Sequence, residues 1–215
     1  MKSKISIALI KREWLITRYN FDIFTVSLLS SLLSFFIFFL ILDSHITSDE
    51  TLMYGVIIIT TVMTIAFSDY LLIKDDFSSG ILEQLFLLPF SSPFKIVLIK
   101  WLFSFLKYIT INSTFWYFIW KVFFDTNFFY FNYIIFVLHI TSVSLFAGSI
   151  SLSIKRSSLV NVLIIPITFP QIIFSLMSIK APTYLLLLSA LDIIMIPIFI
   201  IFSTIIIQGA IRETA

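Results

Sequence analysis

Apolar residues run along this chain in six long stretches: Ile23 to Leu42, Leu52 to Ile73, Ile96 to Trp120, Phe128 to Ile154, Leu159 to Met177 and Tyr184 to Ile207. Short polar interruptions separate them. Crossing a hydrocarbon layer of about 30 Å takes about 20 helical residues, and each stretch is long enough. None alternates apolar and polar positions as a barrel strand would, and a helix satisfies its own backbone donors and acceptors in hydrocarbon. The pattern predicts an all-α integral membrane protein with six transmembrane helices, forming one domain over residues 1–215.

The segment before the first stretch has a different pattern. Ile5, Leu9 and Ile16 recur at spacings of four and seven, while Lys4, Lys11 and Arg18 recur at seven on roughly the opposite side. This predicts an amphipathic interfacial helix. Arg12 falls near the apolar side, and Ile7 and Trp14 near the basic one, so a polar tail with stray apolar residues stays open as the alternative. The short run Ile5 to Ile10 precedes Lys11 and Arg12, the reverse of a cleavable signal, so no cleavage is expected.

Composition agrees with the pattern: 60% of the 215 residues are hydrophobic and 12% charged. A soluble domain carries about 25% charged residues. Six crossings nearly exhaust the length, leaving no room for a separate soluble domain. The net charge of +2 comes from dispersed lysines and arginines, so no basic face for nucleic acid forms. With no cysteine, disulfides, thiolate metal sites and thioether haem attachment within the chain are excluded.

Lysine and arginine also set the orientation. Lys2, Lys4, Lys11, Arg12 and Arg18 precede the first stretch, Lys74 and Lys95 flank the second connection, Lys155 and Arg156 sit in the fourth, and Arg212 follows the last. The other side has Lys121 and Lys180 beside the acidic loop with Asp43, Asp49 and Glu50. Both termini are therefore expected to be cytoplasmic, or on the matrix side in a mitochondrion. Trp14, Trp101, Trp116 and Trp120 lie near predicted span ends, where interfacial aromatic anchors sit.

Within the spans, Lys100 is expected to snorkel to the cytoplasmic surface, whereas Lys107, about 10 Å deeper, should face protein. Asp192, a third of the way along the last stretch, is the best buried acidic candidate. A functional or subunit contact, a structural ion pair (Lys107 being one conceivable partner) and a place near the outer surface all remain open for it. Asp69 reads best as a solvated interfacial carboxylate. His45 and His139 are the only histidines, and either could ligate a haem iron. For His139 a helix-to-helix hydrogen bond is the plainer expectation. No metal set and no catalytic constellation is assigned. Pro166, Pro170 and Pro197 are expected to kink their helices.

The second connection, Lys74-Asp-Asp-Phe-Ser-Ser-Gly-Ile-Leu-Glu-Gln-Leu-Phe-Leu-Leu-Pro-Phe-Ser-Ser-Pro93, is the longest polar-bearing interruption. Ser79 or Gly80 can start a short helix with Glu83 in its first turn, and Pro89 can stop it. Leu82, Leu85 and Leu88 would form its apolar side, with Glu83 and Gln84 exposed. Such a helix can dock on a cytoplasmic partner; an ordinary interfacial loop is the alternative.

The run Asp75 to Pro89 resembles the D-D-x-x-x-G-x-L-E-Q-L-x-L-L-P stretch of the cytochrome c maturation protein B (CcmB) family, also called haem exporter protein B. A second run, Ile154-Lys-Arg-Ser-Ser-Leu-Val-Asn-Val-Leu-Ile-Ile-Pro-Ile-Thr-Phe-Pro170, is similar to that family's L-K-R-x-x-x-L-x-x-x-L-x-L-P-L-x-x-P stretch. Ser157 and Ser158 stand where the family often has glycine. The resemblance implies a single ABC-type permease domain in a bacterial inner membrane, or a mitochondrial one if organelle-encoded. Its partners would be a CcmA-like ATPase subunit, CcmC-like and CcmD-like membrane subunits and a CcmE-like haem chaperone, with two copies of this chain per complex. ATP would be bound by the partner subunit and haem handled by the complex, though haem export is disputed. Asp75, Asp76, Gly80, Glu83, Gln84, Leu85 and Pro89 would form the coupling segment. Independently, Gly55, Gly80, Gly148 and Gly209 are the only glycines, and no two have the spacing of a phosphate-binding loop, so ATP hydrolysis is not expected in this chain.

Overall fold

The computed structural model describes residues 2–19, 25, 29, 31–33, 35–37, 49–87, 92–123, 129–154, 159–181 and 183–214. Nearly all are helical. In chain order the helices are α1 (Lys2–Tyr19), α2 (Glu50–Ser78), α3 (Ile81–Leu87), α4 (Pro93–Phe123), α5 (Tyr130–Ile154), α6 (Leu159–Lys180) and α7 (Thr183–Thr214). Described positions of the first apolar stretch are also helical: Ser31 bonds Thr64 at 2.9 Å, and the Phe35 ring meets Trp116 edge to face. The rest of Ile23 to Leu42, the loop with Asp43 and His45, and Lys155 to Ser158 lie outside the described residues, as do Pro89, Leu88 and the Asp69 side chain.

Among the described residues, three helices are long and apolar enough to cross a membrane: Tyr130–Ile154, Val162–Lys180 and Thr183–Glu213. The apolar part of α2 described with its side chains, Glu50–Ile65, is shorter. α4 carries Lys95, Lys100, Lys107 and Lys121 along its 31 residues. At 1.5 Å per residue α4 is about 46 Å long, well beyond a hydrocarbon core of about 30 Å, so its ends protrude from any such layer.

Helix ends follow local chemistry. Asp49 caps α2, accepting from the Thr51 N–H at 2.8 Å, and Glu50 places a second anion in the first turn. At its other end α2 runs past the expected boundary at Ile73, so that Lys74 to Ser78 are helical and not loop. Ser79 stops it: its N–H and Oγ both donate to the Asp75 carbonyl, at 3.1 and 2.7 Å. Gly80 then turns the chain at φ 71°, its N–H donating to the Phe77 carbonyl at 3.0 Å, and α3 begins at the next residue. Left-handed backbone is cheap for glycine, which has no Cβ.

α5 is the central helix, packed against α2, α4, α6 and α7. Sixteen of its 25 residues are buried, while Tyr130, Phe131 and Ile154 at its ends are exposed. Around it a core forms from α2 (Met53, Tyr54, Ile57), α4 (Tyr108, Trp116, Trp120) and α5 (Tyr133, Phe136). Large apolar side chains instead point outward from α4, α6 and α7, among them Phe118, Phe169, Leu186 and Ile193. Such faces suit hydrocarbon and would be a liability in water. α6 and α7 continue through Pro166, Pro170 and Pro197. Next to the first of these, Thr168 Oγ1 donates back to the Ile164 carbonyl at 2.8 Å.

Polar contacts pin one helix to the next. Thr61 Oγ1 and Tyr133 Oη lie 3.1 Å apart between α2 and α5, and Asn132 donates to Ser178 Oγ at 2.6 Å between α5 and α6. Inter-helix bonds of this kind contribute about 0.6–2 kcal/mol each in membrane bundles.

Candidate functional site

α3 is held from beneath and open from above. Leu82 and Leu85, three residues apart and so on one side of the helix, are both buried. Leu82 packs with Ile73 of α2 and Val97 of α4, and Leu85 with Leu9 of α1 and Ile96 and Ile99 of α4. Gln84 and Asp75 are exposed, Glu83 is half-buried, and Leu87 is 75% exposed. The apolar side expected from the sequence is thus present at Leu82 and Leu85. Leu85 anchors the helix within its own chain; the outward apolar side chain is Leu87.

Beside α3 lies a four-residue charge cluster. Arg12 Nη2 donates to Asp76 Oδ1 at 2.7 Å, and Nη1 donates to Glu13 Oε1. Lys100 Nζ donates to Glu13 Oε1 at 3.2 Å and also to Asp76 Oδ2. Two cations and two anions from α1, α2 and α4 thus neutralise one another. Burial works to raise the Asp76 carboxyl, but Lys100 and Arg12 outweigh it and hold the group below its ordinary value. Burial likewise works to lower Arg12, and Asp76 and Glu13 outweigh it, leaving the guanidinium above its ordinary value.

This cluster bears on three expectations. Asp76, assigned to partner coupling, is buried in contacts within the chain. Lys100 does not simply snorkel to water; it bridges α4 to α1 and α2. In α1 the side facing the protein carries Leu9, Arg12 and Glu13, while Ile7 (64% exposed), Ile10 and Trp14 (60% exposed) point away beside exposed Lys11. Leu9 of the expected apolar stripe therefore meets α3 and α4. Arg12, which looked misplaced near that stripe, sits there because Asp76 is its partner. That misfit, followed directly by Glu13, was the signal for the cluster.

A second polar group lies deep among α5, α6 and α7. His139 Nδ1 is 2.7 Å from Asp192 Oδ1, and Gln171 Nε2 donates to the same oxygen at 2.8 Å. His139, Asp192 and Gln171 are 1%, 4% and 0% exposed. His139 Nε2, Asp192 Oδ2 and Gln171 Oε1 are buried without a hydrogen-bond partner. Lys107 is also buried, its ammonium 4.8 Å from the Tyr108 ring centre, so both intramembrane candidates face protein. Asp192's bonded partners are His139 and Gln171, not Lys107. Gln171 carries no charge to mark it within its apolar run. The histidine and carboxylate are arranged as in the base half of a hydrolytic triad, and no hydroxyl among the described residues is hydrogen-bonded to Nε2.

Compared with known proteins, the chain matches no family model and no curated sequence.

Proposed function

We propose that this chain is the membrane subunit of an ABC-type complex in c-type cytochrome biogenesis. It would cross the membrane six times with both termini cytoplasmic, and couple ATP hydrolysis by a CcmA-like subunit to release of a haem-loaded chaperone. The observation that carries the reading is the coincidence of the family-like run Asp75 to Pro89 with a short helix turned off the end of a long one. α3 is seated by Leu82 and Leu85 and offers Gln84 and Leu87 outward. Such an element can take a push from a cytoplasmic partner and pass it to α2 through Gly80, to α4 through Val97 and Ile99, and to α1 through Leu9.

The test is pull-down of the ATPase subunit by Glu83→Lys and Leu87→Asp variants, with holo-cytochrome c and accumulated haem-loaded chaperone measured in the same cells. Loss of pull-down with normal membrane insertion supports the reading. Native pull-down and native chaperone turnover in both variants would overturn it. An ABC permease half for another small substrate shares α3, and co-purification of CcmC-like and CcmD-like subunits separates the two.

A further inference from the structure

We propose that His139 and Asp192 form a buried proton-binding site at the contact of α5 with α7, with the exchangeable proton carried on His139 Nε2. The geometry supplies the first step. Nδ1 and Oδ1 at 2.7 Å would repel as two bare lone pairs, so one proton bridges them. Gln171 donates to that same oxygen, fixing it as an acceptor.

With the bridging proton alone, the pair carries one net negative charge in a site sealed from solvent. A proton from water that adds to the Nε2 lone pair makes the pair neutral, whether the bridging proton rests on nitrogen or on oxygen. No other bond is formed or broken. An uncompensated buried charge is costly and a neutralised pair much less so, which makes the loaded form the resting one.

Among the described residues, the hydrogen bonds and ring contacts around the pair bring no further charge to it. α6 contributes the Gln171 amide, which is uncharged, and α7 contributes Asp192 itself and the Phe199 ring, 6.0 Å away edge to face. On α4, Lys107 lies over its neighbour Tyr108. Tyr133, on the same helix as His139, pairs with Thr61 of α2. Tyr54 of α2 stacks edge to face with Trp120 and Phe129.

A second observation points the same way. A polar contact that only joins helices is normally saturated, since each open buried atom has a cost. Here Nε2, Asp192 Oδ2 and Gln171 Oε1 all stay open around one carboxylate. A site that gains and loses a proton needs such unfilled positions. Losing the proton leaves a net charge between α5 and α7, so their contact should weaken with it.

The sequence allows a direct test, because His139 and His45 are the only histidines. In His45→Gln protein labelled with 15N-histidine and held in lipid nanodiscs, every histidine resonance comes from His139. The expected spectrum at neutral pH shows Nε2 protonated; a bare Nε2 beside a protonated Nδ1 overturns the proposal. A second arm measures thermal stability as the pH is raised from neutral, because a proton held at neutral pH leaves only above it. Removing the carboxylate charge with Asp192→Asn should abolish a fall in stability with rising pH that the unsubstituted protein shows. Equal pH profiles in the two proteins would count against the site. If Asp192→Asn does not insert, the His45→Gln spectrum decides alone.

Discussion

Arg12 and Asp76 stand 64 residues apart in sequence and meet at 2.7 Å, joining the N-terminal helix to the last turns of α2. Asp76 precedes Gly80, where the chain turns into α3, by four residues. Replacing Asp76 with Asn would leave Arg12 and Lys100 facing each other with half of their compensation gone. The cluster is only mostly buried, so the expected cost is about 2 kcal/mol, below the roughly 3–5 kcal/mol of a fully buried broken pair. Thermal unfolding in detergent measures it, and a double mutant with Arg12→Gln should recover part of the loss.

Acid should act on the same contact. Because Asp76 is held below its ordinary value when folded, its charge stabilises the fold above the ordinary aspartate value of about 3.9. That contribution is lost as pH falls through the lower folded value. Hydrogen exchange in α1 should therefore accelerate only below about pH 4, and Asp76→Asn should remove this step. Acceleration beginning near neutral pH would mean another group controls the docking of α1.

Gly80 separates strain from crowding. A Cβ built there meets nothing within 4 Å, yet φ is +71°. Gly80→Ala is expected to cost about 1–2 kcal/mol from backbone conformation alone, and Gly80→Val more, whereas Gly80→Asn should be nearly neutral. Melting temperatures of the three variants give the order. If Ala and Asn cost the same, the left-handed turn is not what the position requires.

The outward face of α1 makes a separate prediction about lipid. Ile7, Ile10 and Trp14 are exposed beside Lys11, the composition of a helix that settles at an interface with its lysines reaching phosphates. Brominated lipids should quench a fluorescence component that disappears in Trp14→Phe. Unchanged quenching in that variant would place the face in water.

How much of this was legible in the sequence differs between elements, for physical reasons. Helical class and the short α3 with its glycine turn could be read because they depend on local pattern: apolar length, a positive-φ residue, and leucines three apart. Burial of Lys107 and Asp192 was also foreseeable, since a charge facing lipid at mid-membrane is costly. The choice of partner was not. Whether Asp192 meets Lys107 or His139 depends on how α5, α6 and α7 are rotated against one another, and helices apolar all round leave no stripe that states their rotation. For α1, Leu9 suits lipid and protein equally well, so periodicity alone does not say which of the two it meets. Only the Arg12–Asp76 pair separates the two.

The burial of polar residues along α5 also bears on how the chain is made. A ribosome releases α5 before α6 and α7, yet Asn132, His139, Ser142, Ser144 and Ser149 of α5 are covered in the finished bundle, several of them by those later helices. Released singly into acyl chains, that helix would bring the Asn132 amide and the His139 imidazole into contact with hydrocarbon. Synthesis therefore has a vulnerable interval, and the insertion machinery must shelter α5 until its later neighbours arrive. A pause or truncation after Ile154 should strand it as a substrate for quality control, whereas truncation after α7 should not.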